Sequence, residues 1–177
     1  MIETVKDRVS ISQLMRDLNL EVVYMPEKEE YFVESEDVNR TGLPLAGYFE
    51  YFPYERIQII GKTEYTYFQN ISKKEREEVL DKFFSYEIPV LIVTRGLEVD
   101  KDIIKKAKKY QRIVLSSKSN TTRFINRLSN YLDSKLAPHV TIHGVLVDVY
   151  GIGVLIKGES SIGKSETALE LIQKGHR

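Results

Sequence analysis

Apolar residues recur at helical spacing at Ile11, Leu14, Met15 and Leu18, just after Ser10 and with Gln13 three places beyond it. A capping box ahead of an apolar stripe predicts a helix over about 11–18. The pattern then changes. Leu20 to Met25 is apolar and β-branched, which predicts a strand, and Pro26 with the acids from Glu27 to Asp37 predicts an exposed loop. In Asn39 to Phe52 (NRTGLPLAGYFEYF), two glycines, Pro44 and four aromatics predict a turn followed by a short segment packed in the core. Arg56 to Ile60 reads as a strand closed by Gly61, and Ser72 with Glu75 forms a second capping box before a helix running to about Tyr86.

Beyond that helix the apolar runs become continuous. Ile88 to Thr94 (IPVLIVT) reads as a strand covered on both faces, followed by a helix from about Asp100 to Tyr110 and a strand from Arg112 to Ser117. This order predicts a parallel crossover. A longer helix from Asn120 or Thr121 to about Leu136 carries Phe124, Ile125, Leu128, Tyr131 and Leu132 on one stripe. Ala137-Pro138 ends it, because proline cannot continue a helix and forces its predecessor toward extended geometry. The expected division is an α/β domain with a largely parallel sheet over 1–135, a linker at 136–138 and a second domain beginning at 139. There, Val140 to Val149 and Val154 to Lys157 read as strands of a hairpin around the turn YGIG.

Composition narrows the classes. Of 177 residues, 42% are hydrophobic and 29% charged, enough apolar surface for a packed core. The 26 basic and 26 acidic side chains cancel, so no overall field favours nucleic acid or an anionic membrane. The five lysines between Lys101 and Lys109 are interrupted at helical spacing by Ile103, Ile104 and Ala107, the pattern of a solvated helix face. There is no cysteine, which excludes disulfides and fits a reducing cytoplasm. Nothing at Met1 reads as a signal peptide, and no apolar run approaches the length of a membrane span.

The strongest chemical signal is GESSIGKS, residues 158–165. Gly158, Gly163, Lys164 and Ser165 complete G-x-x-x-x-G-K-[ST] between a predicted strand and a predicted helix, the context this phosphate-binding motif requires. The glycines let backbone N–H groups turn toward a phosphate, Lys164 can reach its β/γ oxygens, and the Ser165 hydroxyl can hold Mg²⁺. The following helix is amphipathic through Ala168, Leu169, Leu171 and Ile172, with Gly175 placed to cap it. His143 lies in a predicted strand, where a histidine can be a structural hydrogen-bonding residue or a catalyst. Asp148 could orient a metal-bound water or face solvent.

The stretch Ile142 to Arg177 (IHGVLVDVYGIGVLIKGESSIGKSETALELIQKGHR) resembles the hairpin, phosphate loop and helix of the bacterial HPr kinase/phosphorylase family. NRTGLPLAGYFEYF is similar to that family's N-terminal signature, so the resemblance reaches both ends of the chain. It implies an N-terminal α/β domain and a P-loop kinase domain, assembled as a cytoplasmic homohexamer. It further implies transfer of phosphate from ATP, with Mg²⁺, to a serine of the phosphocarrier HPr, reversed by inorganic phosphate. Carried over by position, Gly158, Glu159, Ser160, Ser161, Ile162, Gly163, Lys164 and Ser165 would hold the nucleotide, Lys164 and His143 would be catalytic, and Ser165 would bind the metal.

Ser161 stands where many members have a second glycine, which should stiffen the loop without removing a backbone donor. The resemblance places the family's catalytic aspartate, in an acidic pair soon after GHR, and a second metal ligand beyond Arg177. The expectation is therefore an N-terminal domain plus the first part of a kinase domain. Such a chain should lack activity by itself, and the region before Pro138 should be its stable unit.

Two other readings compete: a different P-loop kinase acting on a small molecule or nucleotide, and a non-catalytic sensor or partner-binding module. Against the first, ordinary P-loop folds usually feed the loop from a parallel strand, not from a hairpin.

Overall fold

The computed structural model describes residues 8–27, 30–137 and 142–177. The described residues up to 137 form one compact unit and 142–177 another, each taken here by itself. The predicted strand start at Val140 and the linker residue Pro138 lie outside the described residues.

The first unit opens with β1 (Val9–Ser10) leading directly into α1 (Ile11–Leu18). The Ser10 hydroxyl accepts the Gln13 N–H at 3.2 Å, and Asn19 ends the helix in the left-handed region at φ 55°. β2 (Glu21–Tyr24), β3 (Phe32–Val33), β4 (Val38–Arg40) and the short α2 (Gly42–Leu45) follow. Then come β5 (Ile57–Ile60), α3 (Lys62–Asn70), α4 (Lys73–Ser85), β6 (Leu91–Val93), α5 (Lys101–Tyr110), β7 (Val114–Ser116) and α6 (Thr121–Leu136). The main sheet has the order β2-β7-β6-β5-β4. Strands β4 to β7 run parallel, and β2 adds an antiparallel edge.

A parallel sheet has to be covered on both faces, and the period-2 alternation of its strands divides the core accordingly. Ile57, Ile59, Val90, Ile92, Ile113 and Leu115 pack toward α1 and α6, with Leu14, Phe124, Leu128 and Leu132. The alternate residues Ile60, Leu91, Val93 and Val114 pack toward α3, α4 and α5, with Phe68, Phe83, Phe84 and Ile103.

The segment 27–37 is not wholly an exposed loop. Phe32–Val33 pairs antiparallel with Val9–Ser10, and Val33 is buried; a two-residue strand between acids carries too short an alternation to be legible. In 39–52, Phe49 and Phe52 join the core while Tyr48 and Tyr51 face solvent. The same segment begins with β4, which the sequence reading took as part of a turn. Its packing is aromatic: Phe52 meets the Tyr86 ring edge-on at 5.1 Å and Phe83 at 5.4 Å. Helix α3 was not anticipated at all. Its residues include β-favouring Thr and Tyr, and its N-cap is Gly61, which has no side chain to signal a start.

Buried polar groups gather at the C-terminal ends of the parallel strands. Glu64 accepts the Gly61 N–H at 3.0 Å, and Arg40 approaches its two carboxylate oxygens at 2.7 and 3.0 Å, so this buried charge is paired. Thr94 Oγ1 lies 2.8 Å from Thr121 Oγ1 and donates to Ile60 O at 3.1 Å. Gly61 sits where a Cβ would stand 2.8 Å from Thr121 Oγ1, so only glycine lets the end of β5 approach the start of α6.

The lysines of α5 divide their work. Lys106 and Lys109 approach Asp81 of α4 at 2.5 and 2.8 Å, which joins two helices on one face of the sheet. The hydrogen bonds from Lys106 and then Lys109 hold the Asp81 carboxyl well below the usual carboxylate range. A depressed folded-state pKa contributes stability that is present above about pH 4 and is lost progressively as pH falls toward the folded value. Because Asp81 is partly exposed and screened, Asp81→Asn should cost about 1 kcal/mol at neutral pH, and less at about pH 2.5. Urea unfolding at the two pH values checks this; an equal cost at both would show that the charge is not its source.

Candidate functional site

The second unit holds β8 (Val145–Val149), β9 (Ile152–Ile156) and α7 (Lys164–Gln173). β8 and β9 pair antiparallel from Val145↔Ile156 to Val149↔Ile152. The connection is a two-residue turn, Tyr150–Gly151, with φ 54° and 80°, tighter than the expected YGIG. Two positive φ values match the right-handed twist of hairpin strands. Asp148 Oδ1 accepts the Gly151 N–H at 2.8 Å, so the carboxylate braces the turn.

His143 lies outside the strand in which the sequence placed it. β9 ends at Ile156, so β8 has no partner before Val145, and residues 142–144 are irregular and exposed. The imidazole is therefore not held in a sheet face.

Residues 157–163 leave β9 as a loop and enter α7 at Lys164. Gly163 is the N-cap at φ 92°, a conformation that favours glycine, and its carbonyl accepts from the Thr167 hydroxyl at 2.9 Å. Lys164 folds back over the loop: its Nζ donates to Gly158 O at 2.8 Å and also to Glu159 O. The ammonium thus lies against the loop backbone, and Lys164 as a whole is half-buried, whereas Glu159, Ser160, Ser161, Ile162 and Ser165 are exposed. Ser165 occupies the second helical position, beside the N–H groups that an α-helix leaves unpaired at its start. A loop of this shape at a helix N-terminus can surround an anion with backbone donors and one mobile cation.

The far end of α7 is closed by a Schellman motif. Gly175 has φ 94°, His176 N–H bonds to Leu171 O at 3.1 Å, and Gly175 N–H bonds to Ile172 O at 3.0 Å. Of the expected apolar stripe only Ala168 is buried, while Leu169 and Ile172 are more than half exposed. Among the described residues no cluster of three or more His, Cys, Asp or Glu could hold a metal ion, and no helix is long and apolar enough to cross a membrane.

Sequence reasoning missed one loop feature. Ser161 is left-handed, at φ 65°, a region costly to residues with a Cβ. A serine at the position where similar loops carry glycine was the available signal. Ser161→Gly should relieve about 1 kcal/mol of local strain and raise hydrogen-exchange protection across the first turn of α7. Unchanged or lower protection would mean that the serine is not strained.

Comparison with known proteins covers both units. The family described as HPr Serine kinase N terminus matches residues 9–132, and the HPr Serine kinase C-terminal domain matches 134–177. The HPr kinase/phosphorylase of Caldanaerobacter subterraneus subsp. tengcongensis is 56% identical over 97% of this chain and 56% of its own length. That of Peptoclostridium acidaminophilum is 54% identical over 96% of this chain and 55% of its own length. The chain thus spans about half the length of the curated relatives it matches. A crystal structure of the CBS and DRTGG domains of the regulatory region of Clostridium perfringens pyrophosphatase, complexed with its activator diadenosine tetraphosphate, aligns with a TM-score of 0.50 at 18% identity. The alignment covers 73% of this chain and 50% of that one, a likeness of fold alone.

Proposed function

The chain belongs to the HPr serine kinase family, and from that membership we propose that its 158–165 loop binds the phosphates of ATP in a protein that phosphorylates a serine of HPr and, with inorganic phosphate, reverses the reaction. The observation that carries this reading is the position of Lys164, whose ammonium is drawn against Gly158 O and Glu159 O at the start of α7. The residues present fit a nucleotide phosphate with Mg²⁺: a glycine-capped helix start, one cation inside the loop, and an exposed hydroxyl at Ser165. Bound ATP would supply the phosphoryl group, and Mg²⁺ would neutralise its oxygens.

Each residue then has a task. The backbone of 158–163 orients the phosphates, Lys164 leaves its carbonyl partners to meet them, and Ser165 offers its hydroxyl to the metal ion. His143, exposed ahead of β8, is free to approach the reacting groups as a catalytic residue. The kinase domain begins at about residue 139, after an N-terminal domain over 1–135 and a linker at 136–138. The relatives' shared name supports HPr as the acceptor over a small molecule, and the proposed assembly is a cytoplasmic homohexamer.

In the full-length protein Lys164→Ala should lower ATP-dependent phosphorylation of HPr by about 100-fold or more, since one positive charge on a transferring phosphoryl group is worth that much. Near-normal turnover would remove the loop from catalysis. His143→Ala should lower turnover while leaving thermal unfolding within about 0.5 kcal/mol of the parent, because an exposed side chain adds little stability. Reduced stability with unchanged turnover per folded molecule would return His143 to a structural role.

A further inference from the structure

Parallel sheets bind small ligands beyond the carboxyl ends of their strands, where loops diverge and the helices that follow begin. At that edge of the first unit, a groove of about 640 Å³ is lined by Lys62, Thr63, Thr66, Tyr67 and Asn70 of α3 and by Arg95, which follows β6. Its charge is unbalanced. The side chains of Lys62 and Arg95 make no hydrogen bond or ion pair among the described residues, and both are exposed. The nearest acid on α3, Glu64, is buried and already matched by Arg40, at 2.7 and 3.0 Å. Asp100, the acid across from Gln69, is taken by Gln69 Nε2 at 2.8 Å and by Arg76 at 3.7 Å.

The backbone that carries the cation on the far wall is fixed in place. Arg95 is left-handed at φ 67°, and Gly96 after it has φ 63°. Their N–H groups bond to Ser119 O and Ser117 O, each at 2.9 Å, so the β6–α5 connection is pinned to the connection after β7. On the α3 wall, Thr66 and Asn70 direct their donors to helix carbonyls at 2.7 and 2.8 Å, leaving the Thr63 hydroxyl and the Tyr67 ring toward the groove. Tyr67 is 43% exposed.

We infer that this groove binds a small phosphomonoester, its dianionic phosphate between Lys62 and Arg95 and its organic part against Tyr67. Two unpaired cations match the two negative charges of a phosphate monoester near neutral pH. The volume exceeds what phosphate alone fills and lies within the range of small-ligand sites. The site is built from residues of the N-terminal unit alone and does not depend on the nucleotide reading.

The test is amide chemical-shift titration of the 177-residue chain with glycerol 3-phosphate, with inorganic phosphate and with uncharged glycerol. Saturable shifts at Lys62, Thr63, Arg95 and Gly96 are expected with the ester and none with glycerol. Tighter binding of the ester than of inorganic phosphate would assign the organic part a role; equal binding would identify the free anion as the ligand. The double variant Lys62→Gln/Arg95→Gln should weaken these shifts by about tenfold or more while leaving shifts at 158–165 and the dispersion of the spectrum unchanged. Shifts confined to 158–165, or groove shifts that survive the double variant, would overturn the inference. Loss of the loop's shifts alone would count against the nucleotide site and leave the groove intact.

Discussion

A parallel sheet exposes no face to water, and that constraint organises everything in the first unit. Ile57 and Ile59 must meet one layer of helices while Ile60, Leu91 and Val93 meet another, so α1 and α6 lie on one side and α3, α4 and α5 on the other. Polar clamps tie neighbouring elements together within a layer and at the strand ends. Asp81 draws Lys106 and Lys109 from the neighbouring helix, and Arg40 closes on Glu64 at the strand ends. With both faces sealed, the ends of the strands are where backbone and side-chain groups are open to a ligand, and there the side chains of Lys62 and Arg95 have no hydrogen-bond or ion-pair partner among the described residues.

The same constraint explains the different character of residues 142–177. One hairpin and one helix supply a single layer of contact, and among their described residues only Val147 and Ala168 are buried. Leu146, Ile152, Val154, Leu155, Leu169 and Ile172 keep much of their surface exposed. Local hydrogen bonding holds this unit's shape. The turn is braced by Asp148, the helix start is capped by Gly163, and its end is closed by Gly175. A phosphate loop needs such backbone order more than it needs a core, because its donors are N–H groups whose directions are set by φ and ψ.

Features that announce themselves locally were legible in the sequence. Ser72 and Glu75 form a reciprocal capping box at 3.2 and 2.8 Å, as their spacing implied, and Phe124, Leu128 and Leu132 of the α6 stripe are buried where its period placed them, with Ile125 and Tyr131 half-buried beside them. The crossover through α5 followed from an apolar strand on each side of a helix. What stayed hidden depends on distant partners. β3 exists because Val9–Ser10 pairs with it, and α3 starts at a glycine whose significance is the nearness of Thr121. Gln58, polar within an apolar strand, is buried because Asn39, Pro53 O and Arg56 O satisfy it from three directions. In the 158–165 loop the residue types were legible from the motif, whereas the left-handed turn at Ser161, the folded-back Lys164 and the position of His143 outside the hairpin were set by geometry that no spacing encodes.

The proposed nucleotide-phosphate site consists of the backbone donors of 158–165 together with Lys164. Hydrogen-exchange mass spectrometry of this chain with and without ATP and Mg²⁺ tests it most directly, because protection reports the N–H groups themselves. Slower exchange is expected in the peptide spanning 158–165 and the first turn of α7, saturating with nucleotide. Unchanged exchange there at saturating ATP would contradict it.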